Sequence, residues 1–299
     1  MKNRLCILEF PSNLGLKEPS PGHEPGVRQL PDFLRAHGLH AALAPESILR
    51  LEPPPYSMQL DEASGVRNAD RIAAYASAQS DVLKEALAED MFPIVIGGDC
   101  SILIGNAWAL RNQGTYGLFF LDGHTDFMLP SLSQTGGAAG MDLAIITGHG
   151  HDKLVNIDGQ KPYFREEQVW CVGNRCLDKD YVKVIQGSAI HYVDLDAVRQ
   201  KGMEKIVSDF LHMVREEQLD GFWIHIDVDV LNDEIMPAVD SRQPDGLDYT
   251  EFTRILKGLL ADERATGLNI TILDPDLDPS GKHTREFVRH FCALFGRGK

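Results

Sequence analysis

The sequence predicts an α/β protein built on a doubly wound, largely parallel sheet. Three observations lead there. Eight short apolar runs are spread along the 299 residues, and most are apolar nearly throughout. A strand covered by helices on both faces reads this way, whereas a strand with one wet face alternates. Between several runs lie stretches with apolar residues at three- and four-residue spacing, the stripe of a helix packed on a core. Runs and stripes take turns along the chain, which is the order of βαβ units.

In chain order, the first strand is "LCILEF" (5–10). The Pro/Gly-rich segment 10–26 after it reads as an ordered surface loop near a site, or as a mobile flap. "HAALA" (40–44) reads as the second strand, and "FPIVIGG" (92–98) as the third. The stretch 66–88 between them carries Val66, Ala69, Ile72, Ala73, Ala76, Leu83 and Leu87 on one helical stripe. "YGLFFLD" (116–122) is the fourth strand, followed by a loop at 131–140 with glycines for tight turns. "QVWCVG" (168–173) and "AIHYVD" (189–194) are the fifth and sixth. A helix over 203–215 precedes "FWIHIDVDV" (222–230). Asp248 followed by Glu251 marks a helix N-terminus, with acid where the helix dipole favours it. "LNITIL" (268–273) and a helix over 284–295 complete the series. No internal repeat or linker divides the chain, so one domain over 1–299 is expected.

Composition excludes several classes of function. Acidic residues outnumber basic ones 44 to 29, a formal net charge of −15. Nucleic acids and anionic membranes both require a basic face, so neither is expected as a partner. No window approaches 18 apolar residues, and the N-terminal apolar run is too short for a signal peptide core. The 5 cysteines are few, odd in number and without CxxC spacing, which points to a reduced, cytoplasmic protein without structural disulfides.

Three strands end in metal-type ligands, at the edge where open α/β sheets bind their ligands. The third ends "GGDCS", with Cys100. The fourth ends "LDGHTDF", with Asp122, His124 and Asp126 at alternate positions, so that their side chains point the same way. The seventh ends "HIDVDV", with Asp227 and Asp229 at the same spacing. A single DxD pair is commonly a turn or a helix cap. Two such clusters on parallel strands are another matter, because packed ionisable groups repel and desolvate one another unless cations sit among them. The set is too large for one tetrahedral zinc and suits two divalent ions with shared carboxylates.

"GGDCS", "DGHTD" and "DVDVLNDEIMPAVD" resemble the metal-binding segments of the ureohydrolase (arginase/agmatinase) family, whose usual forms are GGDH, DAHxD and SxDxDxxDPxxAPGTG. The resemblance runs from about residue 92 to 279. It implies the arginase-type three-layer α/β/α fold with a central parallel eight-stranded sheet, and oligomers, usually trimers or hexamers. It implies two manganese ions, one on Cys100, Asp122, Asp126 and Asp227, the other on Asp122, His124, Asp227 and Asp229. His124 and Asp126 would serve catalysis: a water between the ions would become the nucleophile, and Asp126 would hand its proton to the leaving amine. The substrate would be a small guanidino, amidino or related molecule.

The sequence departs from the family pattern in three places. Cys100 stands where the family has His, as it also does in a relative resembling a hydroxyarginine-cleaving enzyme; a thiolate favours zinc, iron or cobalt over manganese. Ala139 stands where a shuttle histidine is expected, and Asp142 three positions on replaces a proline, as a helix cap or a substrate contact. Ile272 replaces the glutamate that clasps a guanidinium, a bidentate partner of high value in a buried pocket. Asp240 and Asp274 are candidate substitutes, and Asp178 after Arg175 matches the residue that holds a substrate amino group. Two other readings stay open: a single-zinc deacetylase-like amidohydrolase, and a non-catalytic homologue that binds metal or a metabolite.

Overall fold

The computed structural model describes residues 4–175 and 179–296. Its core is an eight-stranded sheet of β1 (Leu5–Phe10), β2 (Ser47–Arg50), β3 (Phe92–Gly97), β4 (Tyr116–Leu121), β5 (Val169–Val172), β6 (His191–Val193), β7 (Gly221–Asp227) and β8 (Ala265–Thr271). The order is β2-β1-β3-β8-β7-β4-β5-β6 and every pairing is parallel. Helices cover both faces, so the expected three-layer α/β/α architecture stands. One face carries Leu8, Val95, Leu118, Phe120 and Trp223. The other carries Ile7, Ile94, Phe119, Ile224 and Leu268 under the helices Met203–Glu216, Tyr249–Ala261 and Lys282–Ala293. No described helix is long and apolar enough to cross a membrane.

The second strand needs correcting. Residues Leu39–Leu43 are a short helix, and the strand at that edge is Ser47–Arg50. "HAALA" is made of good helix formers, and nothing in the sheet overrides that preference. "SILR" escaped notice because it is an edge strand with exposed Ile48 and Leu49, so burial did not enrich it in apolar residues. The helix expected from 66 starts at Ala69, since Asn68 in the left-handed region (φ 56°) breaks it and Val66 pairs with Asp61 in a small hairpin. Asp248 and Glu251 form a reciprocal capping box at the N-terminus of Tyr249–Ala261.

After β3 the chain crosses over β8 and β7 to place β4, and this change of direction opens a crevice at the carboxyl ends of these strands. The loop after β1 packs into it as an ordered segment. Ser12 donates its hydroxyl to Asp99 (2.9 Å), and the Ala139 amide donates to the Gly15 carbonyl (3.1 Å). Gly98 makes the close approach of loop and strand possible, because a methyl group there would lie 1.7 Å from the Ser12 carbonyl oxygen.

Gly98→Ala is therefore expected to push the loop off β3 and to destabilise the fold by about 1–3 kcal/mol, as overpacking against rigid backbone does. Thermal unfolding checks this; an unchanged midpoint would show that the loop is not seated on β3.

Candidate metal centre

Each ligand-type side chain is presented by backbone that reverses just past a strand end. After β4, Asp122 Oδ1 accepts the His124 amide proton (2.6 Å), and Asp126 takes a left-handed conformation (φ 41°). After β7, Asp227 Oδ1 accepts the Asp229 amide proton (2.8 Å) and caps a single helical turn. After β3, Asp99 accepts from the Ser101 amide (2.8 Å) and from Ser12, so it braces the turn that carries Cys100.

The three segments converge. Ligand atoms of Cys100, Asp122 and Asp227 lie within 4.8 Å of one another, as do those of Asp122, His124 and Asp229. Asp122 belongs to both groups. The Cys100 thiol lies 3.1 Å from Asp227 Oδ2 and 3.1 Å from Thr271 Oγ1. His124 Nδ1 pairs with Asp229 Oδ2 (2.6 Å), whose Oδ1 accepts from the Gly123 amide (2.9 Å). Arg175 braces the same turn by donating to the Asp229 carbonyl (2.8 Å). Asp126 stands outside both groups and lines the cleft above them.

Electrostatics separate a capping cluster from a metal centre. Two unit charges 4–5 Å apart repel by roughly 3–4 kcal/mol at an effective dielectric near 20. Burial and then the neighbouring aspartates push the carboxyls of Asp126 and Asp227 well above their usual range. Asp122 is also raised, by burial and then Asp229, and the Cys100 thiol rises far for the same two kinds of reason. Asp229 alone is lowered: burial opposes its ionisation, but His124, the Gly123 amide and Arg175 outweigh it. For His124, burial disfavours the charged ring, yet Asp229 and Asp122 win and hold the imidazole up to about 9. Asp122 Oδ2 and His124 Nε2 are buried without hydrogen-bond partners. Orphaned ligand atoms among repelling carboxylates fit divalent cations, which would satisfy both.

A cleft of about 530 Å³ opens over the centre, lined by Lys17, His124, Asp126, Tyr181, Asp240 and Ile272 among others. Asp240 is exposed in it; crowding by the protein and then by Asp229 pushes its carboxyl up to about 6, an effect that solvent in the cleft weakens. Asp142 is fully buried and does not line the cleft: Oδ1 accepts from the Leu143 amide (2.6 Å) and Oδ2 has no partner. Asp274 caps the turn Pro275–Leu277 through the Asp276 amide (2.9 Å), which is a structural role. Asp178 lies outside the described residues. Ala139 and Ile272 both line the cleft, so it has neither an imidazole nor a carboxylate at those two positions. Ile272 sits at φ 77°, rare for a β-branched residue. Sequence reasoning passed over His225, which is fully buried with its Nε2 3.8 Å from Asp122 Oδ2. The signal was there, since His225, Asp227 and Asp229 share one alternating register.

Residues 10–295 match the model of the Arginase family. The chain belongs to that family. It is 27% identical to an arginase of Staphylococcus aureus (strain MRSA252) over 236 residues, 79% of this chain and 78% of the relative. It is 26% identical to an arginase of Brevibacillus brevis over 99% of both chains. The solved arginase of Bacillus caldovelox superposes with a TM-score of 0.87 at 27% identity, covering 99% of each chain. Membership makes the protein a metal-dependent hydrolase that acts on a carbon–nitrogen bond outside the peptide class.

The His124 shift sets a pH dependence for the metal-free protein. The ring titrates near 9 in the folded state against 6.5 unfolded. Between those values the folded state holds the extra proton, so stability falls as pH rises; the raised aspartates act in the same direction. Metal binding requires a deprotonated imidazole, so stabilisation by metal grows over the same interval. Unfolding midpoints from pH 6.5 to 9 are expected to fall with pH in chelator and to change little with pH in excess divalent metal, so that the gap between them widens.

Proposed function

We propose that the protein hydrolyses a linear carbon–nitrogen bond of a small guanidino, amidino or related molecule at a pair of divalent ions. One observation carries this reading: two ligand groups share Asp122 beneath one cleft. Cys100, Asp122, Asp126 and Asp227 would hold one ion, and Asp122, His124, Asp227 and Asp229 the other. When bound, the ions supply a water acidified to near neutral pH and polarise the carbon to be attacked. Asp126 lines the cleft, where its carboxylate takes up a proton and passes it to the leaving nitrogen. Asp240 supplies the carboxylate for a cationic substrate end, in place of the one absent at Ile272. A thiolate at Cys100 draws the preference from manganese toward zinc, iron or cobalt. Free, buried Cys6, Cys100, Cys171 and Cys292 support a reducing, cytoplasmic setting.

The test is metal content by elemental analysis, together with turnover of arginine, hydroxyarginine, agmatine, guanidinobutyrate and formimidoyl compounds. Metal-dependent release of urea from a guanidino compound, or of formamide from a formimidoyl compound, is expected for at least one. Asp126→Asn should lower kcat by about 10²–10⁴ even at saturating divalent metal. Asp240→Asn should raise KM for a cationic substrate roughly tenfold or more, the value of a hydrogen bond to a charge. Two bound ions with no turnover of any compound would refute the amidinohydrolase reading.

A further inference from the structure

Trp223, His225, Asn269 and Asp122 are all fully buried, and they form a polar chain across three neighbouring strands. The Trp223 indole N–H donates to Asn269 Oδ1 (2.7 Å). An indole nitrogen is only a donor, so this bond decides which way the Asn269 amide points. It leaves Asn269 Nδ2, a donor, 2.8 Å from His225 Nδ1. Nδ1 must then accept, and the ring proton sits on Nε2. That nitrogen has no hydrogen-bond partner and faces Asp122 Oδ2 at 3.8 Å, an oxygen equally without one.

The surroundings hold the ring in this pose. Strand register sets Asn269 on β8 and Phe120 on β4 directly opposite His225 on β7. Phe120 stacks on the imidazole at 4.3 Å with the planes 8° apart. The indole is admitted because residue 267 is glycine: a methyl group there would lie 2.3 Å from the Trp223 ring.

His225 also lies within 4.8 Å of ligand atoms on Cys100 and Asp142, which has the outline of another ion site. The tautomer decides against ligation, because a nitrogen that carries its proton offers no lone pair to a cation. We propose instead that His225 is a positioning residue for the metal centre. Its Nε2–H steadies Asp122 Oδ2, while the His124 amide holds Oδ1, and Asn269 and Trp223 set the tautomer that makes His225 a donor. With Oδ1 held by the His124 amide and a donor aimed at Oδ2 from 3.8 Å, the carboxylate common to both ligand groups is oriented before an ion arrives, the role that outer-shell groups play for metal ligands. The inference rests on Asp122 being a metal ligand, as proposed above.

The test uses the full chain. Nitrogen NMR is expected to find the Nε2–H tautomer of His225 in both metal-free and zinc-loaded protein, and Asn269→Asp is expected to move the proton to Nδ1. His225→Leu should weaken zinc binding by about ten- to a hundredfold. His225→Gln, whose amide N–H reaches a similar point, should recover most of that loss. An Nδ1–H tautomer in the unaltered protein, cadmium coupling to Nε2 in cadmium-loaded protein, or unchanged zinc affinity in a folded His225→Leu variant would each overturn the proposal and leave the metal centre standing. Failure of the unaltered protein to take up zinc or manganese would overturn the metal reading, and this role with it.

Discussion

Asp122, Asp126, Asp142, Asp227 and Asp229 stand together at one end of the sheet, where the charge of each makes the others harder to ionise. Few arrangements of backbone tolerate such crowding. A parallel sheet supplies one, because the reversals past its strand ends aim amide protons at the carboxylates: the His124, Asp229 and Gly123 amides each hold an aspartate oxygen. Those bonds fix the side chains while leaving Asp122 Oδ2 and His124 Nε2 unsatisfied. The fold brings the charges to the point of needing cations and stops there.

The rest of the architecture serves that cluster. The switch in strand order between β3 and β4 opens the crevice, and β8 and β7 lie between them as its floor. Gly98 admits the loop after β1 close enough for Ser12 to hold Asp99, which fixes the turn bearing Cys100. Behind the ligands the sheet is not uniformly apolar: the Trp223–Asn269–His225 chain runs through its interior toward Asp122. Its inner members are paired, while His225 Nε2 and Asp122 Oδ2 are buried without hydrogen-bond partners. The last link, at 3.8 Å, is longer than a hydrogen bond.

Much of the fold was legible because buried parallel strands and amphipathic helices have different apolar periods. The exception is instructive. The edge strand Ser47–Arg50 is half-exposed, so the burial that marks the other strands never shaped its composition, and the helix-forming "HAALA" beside it was mistaken for it. Of the candidate residues, Asp122, His124, Asp227 and Asp229 follow from alternation past the strand ends, Cys100 rested on its place after GGD, and Asp126 shares the alternation but stands outside both ligand groups. The loop aspartates were not legible: Asp274 caps a turn and Asp142 is buried away from the cleft, while Asp240 is exposed within it. Local sequence looks the same in all three cases.

The sequence by itself determined seven of the eight sheet strands, several of the helices and the ligand-bearing strand ends, since periodicity and alternate spacing are local properties of a chain. It also determined family membership, through short motifs in the right order on the right strands. Only the tertiary structure decided which groups share a point in space. It set Asp122 in both ligand groups, Cys100 against Asp227, and His225 behind Asp122 with its Nδ1 against the Asn269 amide. The reason is physical: a tautomer or a shared ligand depends on partners brought together from separate strands, and no stretch of sequence contains them both.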